Sequence, residues 1–120
     1  MNQIERAREI ATLYLRHGWQ LRRALMRAET RALLCATTGE KTSAETPHDA
    51  FEGVTLTESL VDALWFSRSS QTGREAWELR LVSDAPYALH EIFEPDEAEE
   101  DREDVRREME ARLHDYAGQS

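Results

Sequence analysis

Three runs of strand-forming residues between Asp62 and Glu94 constrain this chain more than any other feature. The runs lie at 62–68, 74–82 and 87–94, and Trp65, Phe66, Trp77, Tyr87 and Phe93 give them the bulky side chains a pleated surface favours. The connectors are Ser69-Ser70-Gln71-Thr72-Gly73 and Ser83-Asp84-Ala85-Pro86, both rich in turn formers. Short connectors between strands dictate antiparallel neighbours, so the segment predicts a three-stranded meander.

Helical patterns flank it. Ile4, Ala7, Ala11 and Tyr14 recur at helical spacing, and Gly18 fits the left-handed position that ends a helix. Residues 19–26 admit two readings, a strand opening at Trp19 or the start of a second helix through Leu21, Ala24, Leu25, Ala28 and Ala32. A strand at 19–26 followed by a helix at 28–36 is the preferred one. Residues 37–57 are polar and aperiodic, a loop long enough to be partly disordered, with Thr55 and Glu58 in the form of a capping box. After Pro95 an acidic start leads into a helix over 96–117 with Ala98, Val105, Met109, Leu113 and Tyr116 on one stripe. The expected fold is α+β: an antiparallel sheet of three to four strands between an N-terminal helix and a long C-terminal amphipathic helix. At 120 residues it is expected to form one domain.

Charge narrows the functions. The chain carries a net charge of −9, which opposes general affinity for nucleic acid or anionic membrane. The distribution is uneven: residues 1–37 hold seven Arg against three acids, and residues 91–120 hold twelve acids against four Arg. Cys35 is the only cysteine, which excludes an intrachain disulfide, and its apolar neighbours point to a buried inert thiol. With no signal-like or membrane-length apolar run, a cytoplasmic location is expected. The five glycines are scattered rather than gathered into a phosphate-binding loop, zinc-type Cys/His spacing is missing, and the acidic run lacks the glycine of a calcium loop. No cofactor is expected.

One polar grouping stands out. Pairing Trp65 with Trp77 and Trp77 with Phe93 places Asp62, Arg80 and His90 in one row across three strands, with Glu78 diagonal to them. On such a face Arg80 can hold an anion and His90 can move protons near neutral pH. The plainer reading is a cross-strand salt-bridge row. The order Glu9, Tyr14-Leu15, Gly18-Trp19, then Asp62, then Glu78-Leu79-Arg80 resembles the skeleton of PD-(D/E)xK nucleases. The resemblance implies a divalent metal on Asp62 and Glu78, with Arg80 where that family has a lysine. It departs from the pattern there and at Val61, where the family has proline.

The leading expectation is a non-enzymatic, bacterial-type cytoplasmic adaptor, regulator or immunity-like domain. Its acidic C-terminal helix would face a basic protein partner or a second copy. The alternatives are a metal-dependent nuclease-like enzyme using Asp62, Glu78 and Arg80, acid/base work that adds His90, or a small-anion-binding module.

Overall fold

The computed structural model describes residues 2–40 and 54–118. The side chain of Cys35, His48, and the centre of the expected loop at 37–57 lie outside the described residues. Helix α1 spans Gln3–Arg16, and Asn2 caps it by accepting the Glu5 N–H on its side-chain oxygen at 2.8 Å. At its far end Gly18 takes φ +88°, a left-handed conformation available to glycine at little cost, and its N–H closes on the Leu15 carbonyl.

The chain then alternates as the preferred reading expects: strand β1 at Gln20–Met26, helix α2 at Ala28–Glu40, strands β2 at Thr55–Glu58, β3 at Ala63–Ser69, β4 at Glu75–Leu81 and β5 at Ala88–Phe93, and helix α3 at Glu99–Gly118. The strands form one sheet in the order β2-β1-β3-β4-β5. The expected purely antiparallel sheet of three to four strands is thus corrected to a mixed sheet of five. The β3-β4-β5 meander is antiparallel, β1 joins it antiparallel, and β2 lies parallel to β1 at the edge. Thr55–Glu58, expected as a capping box, is the parallel strand itself. Its backbone groups gain ladder bonds to β1, which a single isolated helical turn could not match.

The meander's register differs from the expected one by two residues. Trp65 faces Leu79 rather than Trp77, and Trp77 faces Glu91 rather than Phe93. The first hairpin closes with Ser70 N–H on the Arg74 carbonyl, and Gly73 takes φ +83°, which shifts the turn one residue along the chain. Because side chains alternate with period two, a two-residue slip keeps every side chain on its expected face.

Each face has its own core. On one, α1 and α2 pack Ile4, Ala7, Ala11 and Leu34 over Ala24, Met26, Leu64, Phe66 and Val82. A bulge at Arg22 in β1 puts both Leu21 and Ala24 on this face, opposite Phe66 and Leu64. On the other, α3 packs Met109 and Leu113 over Trp65, Trp77, Leu79 and Phe93. The helix starts at Glu99, after a turn through Pro95 and Asp96, and its stripe includes an arginine. Arg106 is 2% exposed, lies 4.1 Å above the Trp77 ring, and bonds Glu99 and Glu103 at 2.8 Å each. Arg23 of β1 completes this network by binding Glu103. The acidic helix is therefore part of the core rather than a free appendage.

Candidate binding face on the outer strands

All four residues singled out from the sequence lie on the α1/α2 side of the sheet, where the fold gathers three of them and leaves Asp62 apart at the far end. Glu78 pairs directly with His90 across β4 and β5, and Arg80 follows on the same face of β4, opposite Leu64 and Ala88. Asp62 precedes β3 and sits by Val82, four residues along β4 from Glu78, a separation of about 13 Å at strand rise.

Asp62 is buried and occupied within the fold. It accepts hydrogen bonds from the Thr30 hydroxyl and the Arg27 backbone N–H, each at 2.8 Å, and from Gln3 Nε2 at 2.9 Å. It thereby joins α1, the start of α2 and the entry to β3. Carboxylates sharing one divalent ion must place oxygens within a few ångströms of each other, which this pair does not. Among the described residues no group of three or more His, Cys, Asp or Glu side chains is arranged to hold a metal.

Glu78 is half-buried at the centre of a short polar chain. The Tyr14 hydroxyl donates to one of its oxygens, and His90 Nδ1 lies 3.3 Å from the other. Burial of the phenol and the bond to Glu78 hold Tyr14 protonated well above the usual tyrosine range. The Trp19 indole meets the His90 ring edge-on at 6.1 Å, and Arg80 Nη1 donates to the Ala85 carbonyl at 2.9 Å. The end of α1 and the turn after it thus supply two residues, Tyr14 and Trp19, that the sequence alone did not place with the polar grouping. The usable signal was their polarity: a tyrosine or tryptophan beside a buried face generally brings its hydroxyl or N–H to a partner.

Beyond this chain of contacts the face is open among the described residues. The α1 and α2 helices cover β1 and β3, whereas on β5 His90 and Ile92 remain exposed, Ile92 at 49%. Among the described residues β5 is also the last strand of the sheet. The Leu81 N–H bonds the Tyr87 carbonyl, so the odd-numbered β5 residues make the ladder to β4. The N–H and C=O groups of Ala88, His90 and Ile92 therefore point outward along the free edge. One is screened locally: Glu91 Oε1 accepts from the Ile92 N–H at 3.3 Å. A charge folded over an edge strand in this way discourages indiscriminate pairing.

Comparison with known protein families, curated proteins and solved structures found no match for this chain. Among the described residues no helix is long and apolar enough to cross a membrane.

Proposed function

We propose that this domain is a protein-interaction module that captures an extended segment of a partner by adding it to the free edge of β5. The observation that supports this best is the outward row of backbone groups at Ala88, His90 and Ile92, with the Ile92 side chain itself exposed. Strand addition gains affinity from main-chain bonds and selects sequence through alternate side chains.

The alternation defines the partner. On the α1 side an added strand meets Ala88, His90 and Ile92, which suit apolar side chains. On the α3 side it meets exposed Glu91, and α3 itself opens with Glu99, Glu100 and Asp101. The matching segment alternates apolar residues with Lys or Arg, in keeping with the chain's net charge of −9.

Fluorescence anisotropy with an end-capped peptide alternating valine and lysine tests the reading, with a valine–glutamate peptide as control. The lysine peptide binds in a salt-sensitive manner and the glutamate peptide does not. Ala88→Pro removes an outward N–H while sparing the ladder to β4, and weakens binding by about tenfold or more. Equal binding of both peptides, or full binding by a folded Ala88→Pro variant, refutes the proposal.

A further inference from the structure

The entry to β3, the β4–β5 turn and the end of α3 line an open cavity of about 450 Å³. Its size falls within the range of small-molecule sites, which are mostly apolar with a few fixed polar groups. Leu60, Val61, Leu81, Val82 and Ala117 give the walls their apolar character. Leu60 is 78% exposed and Tyr116 38% exposed, so two of the large exposed hydrophobic side chains meet at this one opening. The Tyr116 ring is fixed there by stacking on Tyr87 at 3.7 Å. A leucine so exposed gains nothing from the fold, but an apolar ligand would cover it.

The polar lining decides the ligand's head. Arg27 lines the cavity with a half-exposed side chain whose Nη2 pairs with Glu29 at 2.6 Å, and Glu29 lies outside the lining and is itself largely exposed, so a bound carboxylate competes only with a weak surface pair. The carboxylate that does line the cavity is Asp62, and its oxygens are occupied by Gln3, Thr30 and the Arg27 N–H. His114 adds a second nitrogen base at the rim. We infer that the cavity binds a small amphipathic monocarboxylate, with its apolar body on Leu60, Val61, Leu81 and Tyr116 and its carboxylate on Arg27. Guanidinium–carboxylate pairing supplies orientation, and the walls supply most of the affinity. The site is separate from the β5 edge and does not depend on the proposal above.

Octanoate, octanol and octylamine, titrated in turn into isotopically labelled protein, provide the test, with backbone amide shifts as the readout. Octanoate shifts amides at Leu60, Val61, Ser83 and residues 114–118, and octanol binds the same residues about fivefold more weakly or worse. Arg27→Gln reduces octanoate binding to the octanol level. Leu60→Asp abolishes binding of both, while the melting temperature holds because this side chain is exposed. Octylamine binding as well as octanoate overturns the inference. So does the absence of localised shifts at millimolar octanoate, or unchanged binding in a folded Arg27→Gln variant.

Discussion

Replacing Arg106 with alanine tests how α3 is held to the sheet. The side chain is 2% exposed, stacks 4.1 Å from the Trp77 ring and 5.4 Å from Phe93, and joins Glu99 and Glu103. Desolvated cation–π contact contributes about 2 kcal/mol. A charge-assisted hydrogen bond contributes roughly 1.5–3 kcal/mol, but Glu99 is largely exposed and Glu103 partly so, and both regain water when the cation is lost. Only about 1 kcal/mol is therefore retained for the pair of bonds, and Arg106→Ala is expected to cost about 3 kcal/mol from these contacts. In a domain of this size that lowers the melting temperature by about 10 °C, measured by circular dichroism. Arg106→Met keeps the apolar stem and removes the charge that must be buried, so its cost is expected to be about 1 kcal/mol. The surface control is Arg107→Ala, whose partner Asp104 is as exposed as it is, and the expected change is within about 0.5 kcal/mol. If Arg106→Ala behaves like Arg107→Ala, the arginine is not part of the core and the argument fails.

Other consequences are independent of that one. Glu99 is held below the usual carboxylate range by its bond to Arg106, and Glu103, despite burial, by its bonds to Arg106 and Arg23. A lowered folded pKa gives stability that is complete above the unfolded value and lost as pH falls through the folded one. Denaturant unfolding should therefore show acid destabilisation beginning below about pH 4.5, with a shallower slope in Arg106→Met. Tyr14 has the opposite sign, since its pKa is raised: its contribution is complete below the ordinary tyrosine pKa near 10 and is lost above it, as pH rises through the folded value. Alkaline absorbance titration should find one of the three tyrosines still protonated when the unfolded chain has ionised, and Tyr14→Phe should remove that signal. Asp62→Ala takes the acceptor from the buried Thr30 hydroxyl and the Arg27 N–H, while Gln3 Nε2 keeps the Val82 carbonyl, and should cost about 2–3 kcal/mol by urea unfolding; an unchanged midpoint would remove Asp62 from the structural account.

How legible each part was in the sequence follows from the kind of signal it left. The meander, the β1–α2 alternation and α3 were legible because periods of two and of 3.6 residues survive errors of register. The register itself was not, since it turned on which residue of the first hairpin takes the left-handed conformation at Gly73. Strand β2 was hidden because Thr55-Leu56-Thr57-Glu58 has a single apolar residue and pairs with a strand 32 positions away. Arg106 was hidden because an arginine within an acidic run reads as solvated, and it is the aromatic face of Trp77 together with Glu99 and Glu103 that makes its burial favourable. At the candidate site, the strand pattern placed Glu78, Arg80 and His90 on one face. It could not place Tyr14, whose bond to Glu78 spans 64 residues of sequence, nor show that Asp62 spends its lone pairs on α1 and α2.

The β5 edge is the surface on which the functional account stands, and amide hydrogen exchange reads it residue by residue. In the free protein the account predicts slow exchange at Leu89 and Glu91, whose N–H groups bond β4, and fast exchange at Ala88 and His90. Saturating valine–lysine peptide should slow Ala88 and His90 to the level of their neighbours. Slow exchange at both before any peptide is added, or fast exchange that persists at saturation, would contradict it.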